Sequence, residues 1–263
     1  MIPLKMEIQE LAPESPYIWR AKRLKATRRL ICFPHAGAGA AAYADWAALL
    51  PPDMELVAVQ LPGRQNRIAE DPFTEVGPLV NVLTHALRPV FDLPFAFFGH
   101  SGGATLAFEL ARALRDRGAR GPEQLFLSAQ PAPGASAIRQ LHQLSDEDFH
   151  AEIVALGGVD EELVENEDAM EAMLWVLRAD FTLWERHRLE PGTPLDTPIT
   201  VLCGDADPRA PRAEVMRWRE QTTGAFTAEF HPGGHFYFIE DPAPVVSFIV
   251  GRMPAPAAAG RTA

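Results

Sequence analysis

The 263-residue chain is 47% hydrophobic, 22% charged and 9% aromatic, which excludes a disordered chain and suits an α/β domain large enough to bury its own core. Its formal charge, 24 − 35 = −11, gives no bulk electrostatic support for binding nucleic acid or an anionic membrane. Two cysteines, Cys32 and Cys203, are too few for a disulfide framework or a thiolate zinc site.

The amino terminus lacks the basic start and apolar stretch of a signal peptide. No apolar run approaches the roughly 20 residues that cross a bilayer. A soluble, cytoplasmic protein with reduced thiols is expected.

In chain order, short β-branched or aromatic runs at 28–33, 55–61, 95–100, 124–129, 199–204 and 226–231 predict strands, near-continuously apolar where they are clearest, as strands covered on both faces should be. Helix-like stretches at 41–50, 75–91, 102–116, 210–221 and 243–252 lie between or after them. This alternation predicts a mostly parallel sheet with helices on both faces. About 70 residues separate the fourth and fifth strands, too many for one crossover. The segment at about 134–195 opens with a Pro-Gly turn signal and carries helix patterns at 145–156 and 168–186, so an inserted helical lid is expected. Ser145 and Asp148 have the spacing of a capping box. Between 145 and 172 stand eleven Asp or Glu and no Lys or Arg, equal to the net charge of the whole chain. The last ten residues, 254–263, are small and polar and are expected to be a disordered tail on a single domain.

The strongest chemical signal is Gly99-His100-Ser101-Gly102-Gly103. It fits the Gly-x-Ser-x-Gly nucleophile elbow, and it stands between an apolar strand pattern and a helix pattern, as that motif requires. A serine hydroxyl needs a base to take its proton and a carboxylate to orient that base. On such a scaffold the order is Ser, Asp, His. Asp207 follows the strand at 199–204 and His235 follows Pro232-Gly233-Gly234. Asp205 is the rival acid and His231 the rival base. The oxyanion of acyl transfer needs two donors. The amide of Gly102, next after the nucleophile, is one, and Ala36, in the loop Pro34-His35-Ala36-Gly37-Ala38-Gly39, is the candidate for the other.

Other patterns are weaker. Gly37-x-Gly39-x-x-Ala42 fits a dinucleotide fingerprint, although Pro34-His35 intrudes between strand and glycine. His231 and His235 have metal-ligand spacing but no evident third ligand. Arg112, Arg115, Arg117 and Arg120 form a solvated helix end or an anion-docking patch. Trp175, Phe181 and Trp184 suit a lid core or an acyl channel.

With these residues in hand, the sequence closely resembles the type II thioesterases of polyketide and nonribosomal peptide assembly lines, members of the α/β-hydrolase superfamily. The resemblance runs from CFPHAGAG through AVQLPGR (58–64), FFGHSGG, AFELARAL and LRADFTLWE (177–185) to PITVLCGDADP and FHPGGHFYF. It implies Ser101, Asp207 and His235 as the triad, the Ala36 and Gly102 amides as the oxyanion hole, and a helical lid. The implied activity is hydrolysis of acyl thioesters from the phosphopantetheine arm of a carrier protein, clearing aberrant or stalled groups, with no metal and no cofactor, by a monomer. The partner is an acyl or peptidyl carrier protein, for which the four arginines, with Arg64 and Arg67, are a candidate docking patch. One departure stands out. The family usually has Met after the serine, whereas this chain has Gly102, so its acyl chamber is expected to lack a side chain there. The competing readings are a general serine carboxylesterase on the same fold and a non-catalytic binding module.

Overall fold

The computed structural model describes residues 10–134, 140–157, 167–190 and 192–253. Its centre is an eight-stranded sheet in the order β1-β2-β4-β3-β5-β6-β7-β8. The strands are β1 (Ala12–Ser15), β2 (Ile18–Ala21), β3 (Arg28–Phe33), β4 (Met54–Val59), β5 (Phe95–His100), β6 (Gln124–Ser128), β7 (Ile199–Gly204) and β8 (Phe226–His231). The hairpin β1–β2 joins β4 antiparallel, and the remaining pairs are parallel.

The helices are α1 (Trp46–Leu49), α2 (Val76–Ala86), α3 (Gly102–Asp116), α4 (Asp146–Leu156), α5 (Glu167–Arg186), α6 (Arg212–Met216) and α7 (Ala243–Arg252). The predicted helices at 41–50 and 210–221 each break into a short α-turn and a 3₁₀ turn, and the one at 75–91 gives α2 followed by a 3₁₀ turn at Arg88–Val90. The expected tail at 254–263 and parts of the expected lid lie outside the described residues.

Side chains alternate across the sheet, which explains why the central strands are apolar throughout. Ile31, Phe33, Phe95 and Phe97 face one core with Leu83 of α2 and Leu106 and Leu110 of α3. Leu30, Cys32, Ala96 and Phe98 face the other, with Trp46 of α1 and Val246 and Ile249 of α7. Each fully buried Phe or Leu contributes roughly 1.5–3 kcal/mol, so the two layers fix the sheet firmly. β3 is the turning point of the winding, with β4 on one side and β5 on the other. At such a point the loops leaving the carboxyl ends of neighbouring strands diverge and leave a crevice.

Between β6 and β7 the chain forms α4 and α5, with a 3₁₀ turn at Leu141–Gln143. Leu141, Phe149, Ile153 and Leu177 make a small core of their own, against which Ala36 and Phe181 pack. Ser145 caps α4 as its spacing predicts, accepting the Asp148 amide at 3.1 Å. Its hydroxyl donates back to the Asp148 carboxylate at 2.9 Å.

Candidate active site

Four strand ends converge on one place: the loop after β3, the elbow after β5, and the loops after β7 and β8. At the elbow, Ser101 adopts φ 53° and ψ −127°, a backbone conformation that L side chains rarely adopt and that surrounding packing must hold. Its own amide donates to the Ser128 carbonyl at 2.8 Å. The flanking glycines are required sterically. A Cβ on Gly99 would lie 2.2 Å from the Gly103 carbonyl oxygen, and one on Gly103 would lie 2.3 Å from the Phe33 carbonyl oxygen. Helix α3 therefore presses against both β5 and β3, and Ser101 is lifted at its amino end. The Gly102 amide is the first of that helix and has no intrahelical partner.

The structure brings Asp207 and His235 together. His235 Nδ1 lies 2.8 Å from Asp207 Oδ2, with both side chains buried. The other carboxylate oxygen accepts the amides of Arg209 at 2.8 Å and Ala210 at 3.2 Å. The Cys203 thiol, pushed up to about 12 by burial and the neighbouring Asp207 charge, stays protonated and approaches Oδ2 at 3.8 Å. A carboxylate so fully satisfied holds one imidazole tautomer in one orientation. It leaves Nε2 as the ring nitrogen available to a nucleophile.

The rivals have other places. Asp205 accepts the Gly233 amide at 3.1 Å, and its own amide donates to the His231 carbonyl at 2.8 Å, so it stitches the histidine loop to β7. A Cβ on Gly204 would lie 2.1 Å from the Gly234 carbonyl oxygen, which shows how closely that loop is drawn in. His231 stacks on Tyr237, centroids 5.2 Å apart.

Ser101, His235 and Ala36 line two chambers, of about 410 and 160 Å³. Gly102, Gln130, Phe181 and Trp184 line the larger, and Ile153, Met173, Leu177 and Phe236 line the smaller. Phe181 thus fulfils the channel expectation, as does Trp184. Trp175 does not, being half exposed on the lid. The space opposite Gly102 is not empty, contrary to the expectation from the missing methionine. A Cβ there would lie 2.1 Å from Trp184 Nε1, so the lid indole stands where a side chain after the serine would go.

The loop after β3 is tied into the protein by its amides. Gly37 donates to Asp180 of α5 at 2.8 Å and Ala40 donates to Gln60 at 2.8 Å. These amides would have to cradle a pyrophosphate in a dinucleotide site, so that reading is set aside. Asp180 in turn receives Arg64 through both oxygens, at 2.6 and 2.9 Å.

The arginines named as a candidate docking patch are each engaged within the chain. Arg64 is buried on Asp180. Arg67 is buried, paired with Glu70 and stacked on Tyr17. Arg112 binds Glu109 and the Glu190 carbonyl, Arg115 binds Asp116 and the Thr193 carbonyl, Arg117 reaches Asn81, and Arg120 reaches the Asp92 carbonyl and Glu123. The four brace the end of α3 against neighbouring segments. Clustering in sequence suggested a free face, whereas each guanidinium fork has found acceptors near home.

Sequence reasoning assigned no role to three further groups. Glu185 accepts the amides of Leu141 and His142, both at 3.0 Å, and meets His142 Nδ1 at 2.7 Å. It also pairs at 3.4 Å with Arg209, which lines both chambers. His35 lies edge-on between His100 and Phe236. Although its edge reaches the smaller chamber, desolvation, helped by the nearby His235 and Arg64, lowers it to about 4. The signal for Asp180, the one carboxylate in the LRADF run, is visible in the sequence without a partner to assign it.

A strained serine at the mouth of an α/β-hydrolase sheet, sharing a chamber with a histidine held by a buried aspartate, defines a serine hydrolase of that fold. The Thioesterase domain profile matches residues 28–252, and the chain belongs to that family. It is 36% identical over 229 residues to the gramicidin S biosynthesis protein GrsT of Aneurinibacillus migulanus, covering 87% of this chain and 90% of that one. It is 40% identical to the thioesterase PikA5 of Streptomyces venezuelae, covering 80% and 75%. Among solved structures, BorB, the type II thioesterase of the borrelidin biosynthetic cluster, superposes with a TM-score of 0.83 at 39% identity, covering 91% of this chain and 98% of that one. Among the described residues no helix is long and apolar enough to cross a membrane.

Proposed function

We propose that this protein is a type II thioesterase that hydrolyses acyl groups from the phosphopantetheine arm of carrier proteins, clearing aberrant or stalled chains from a polyketide synthase or nonribosomal peptide synthetase. The observation that carries the reading is the Ser101 elbow sharing its chamber with His235, whose Nδ1 is fixed by buried Asp207 at 2.8 Å.

In this reading Ser101 Oγ attacks the thioester carbonyl while His235 Nε2 takes its proton. The tetrahedral oxyanion is met by the amides of Ala36 and Gly102. The carbon–sulfur bond breaks, the imidazolium returns its proton to the departing pantetheine sulfur, and an acyl ester remains on Ser101. A thiol of pKa about 8.5 leaves far more readily than an amine. Water then attacks the ester with His235 as base, releasing the carboxylic acid and regenerating the serine. The chain's own side chains and amides supply every group these steps need, so no metal or cofactor is invoked.

The test is a matched pair of substrates: propionyl-carrier protein and p-nitrophenyl propionate. Higher kcat/KM on the carrier thioester supports the reading. Preference for the oxygen ester moves the protein to a general carboxylesterase.

A further inference from the structure

Trp184 stands on α5 with its indole against Gly102, the residue after the nucleophile. The closeness is extreme: a Cβ added at Gly102 would fall 2.1 Å from Nε1 and 2.4 Å from Cδ1. Only glycine leaves room for the ring. The contact also leaves a polar atom unsatisfied. Trp184 Nε1 is buried and has no hydrogen-bond partner among the described residues, although a buried indole N–H ordinarily finds one. Trp19 Nε1, on β2 at the antiparallel edge of the sheet, is in the same state, whereas the indole of Trp218 donates to the Gln130 carbonyl at 2.8 Å. The orphan donor thus sits beside the amide expected to receive the substrate's carbonyl oxygen. It belongs to a side chain that lines the 410 Å³ chamber together with Ser101, and a turn of the indole away from Gly102 would present the N–H to that chamber.

A buried donor without a partner is the kind of group that discriminates strongly between two ligands differing by one acceptor. An acyl group esterified to Ser101 would enter the chamber that Gly102 and Trp184 both line. We propose that Trp184 is a specificity-determining residue whose indole N–H donates to an oxygen on the acyl chain near the thioester carbonyl, so that 3-hydroxyacyl groups turn over in preference to plain alkyl groups of equal length. The inference rests on the thioesterase reading above and specifies the chemistry of its acyl chamber. The hydrogen bond forms between existing groups and requires no further reagent.

The experiment compares 3-hydroxybutyryl- and butyryl-carrier protein with wild type and Trp184→Phe, which keeps an aromatic ring against Gly102 and removes the N–H. The quantity read is the ratio of the two kcat/KM values, in which any general loss of lid packing cancels. Wild type should favour the hydroxylated chain on the order of tenfold, and Trp184→Phe should bring the ratio close to one. Should Trp184→Phe fail to fold, Gly102→Ala approaches the same contact from the other side. Its methyl must displace the indole nitrogen, and the ratio should fall in the same direction. A wild-type ratio near one, or a preference that survives the substitution, overturns the role of Trp184 and leaves the thioesterase reading intact. Hydrolysis of neither substrate by wild type overturns that reading and the inference with it.

Discussion

Asp180 holds Arg64 through both carboxylate oxygens, at 2.6 and 2.9 Å, in a pair from which water is almost wholly excluded. One of the same oxygens accepts the Gly37 amide at 2.8 Å. Three segments distant in sequence therefore meet at one carboxylate: the lid helix α5, the loop after β4 and the loop that carries Ala36. This is the physical content of two of the family-like stretches, LRADF and VQLPGR. They clamp the lid to the side of the site where the oxyanion is to form.

Removing one partner of a buried ion pair leaves an uncompensated charge, at about 3–5 kcal/mol. Asp180→Asn should therefore lower Tm by roughly 6–20 °C for a domain of this size. Arg64→Met combined with Asp180→Leu should cost less than the sum of the single changes, because neither charge is then stranded. Thermal unfolding of wild type, Arg64→Met, Asp180→Leu and the double variant completes the cycle, and strict additivity would show that the clamp is not an energetic unit.

The elbow tolerates no methyl group on its inner faces. Gly103→Ala would set a Cβ 2.3 Å from one backbone carbonyl oxygen and 2.6 Å from the next, those of Phe33 and Pro34. Since both acceptors are main chain, α3 must move away from β3. The variant should be severely destabilised and accumulate as insoluble protein, whereas Gly118→Ala, with open space around its Cβ but a left-handed φ of 62°, should fold at a modest cost. Equal yields and equal Tm values for the two would contradict the packing described.

His35 gives the fold a pH dependence. Its folded value lies at about 4 because desolvation disfavours the charged ring, against about 6.5 in an unfolded chain. Between those values the unfolded state binds more protons, so stability rises with pH. The contribution of neutral His35 is complete above about pH 6.5 and is lost as pH falls toward about 4. The neighbouring His100, lowered well below its ordinary value by burial, acts in the same direction. Tm should fall between pH 7 and pH 5, and His35→Gln should flatten that slope. An unchanged slope in the variant would remove His35 from the account.

Much of this was legible in the sequence because it rests on local rules. β3, β5, β7, β8, α3 and α7 fall where short apolar or aromatic runs and helix periodicity put them. Ser101 and His235 were marked by the glycines that their turns demand. The hairpin β1–β2 was missed: its strands have four residues each, β1 contains Pro13, and that strand is largely exposed, so neither shows a periodic pattern. What sequence could not supply was partnership across space. The arginines read as a solvated helix end or a docking patch are engaged by carbonyls and carboxylates, and the side chain expected to be missing opposite Gly102 is replaced by Trp184 from 82 positions further along the chain. Composition and spacing carry no record of such pairings.

In the proposed mechanism Ser101 carries the acyl group, and Asp207 and His235 drive its chemistry. The most direct test is the single-turnover reaction of propionyl-carrier protein with wild type, Ser101→Ala and Asp207→Asn, following both acid release and the mass of the protein. Ser101→Ala should lose on the order of 10⁶ in rate and gain no acyl mass. Asp207→Asn, with its histidine in the wrong tautomer, should lose about 10⁴ while the serine remains. Retention of wild-type rates by Ser101→Ala, or an acyl adduct on a residue other than Ser101, would contradict the assignment.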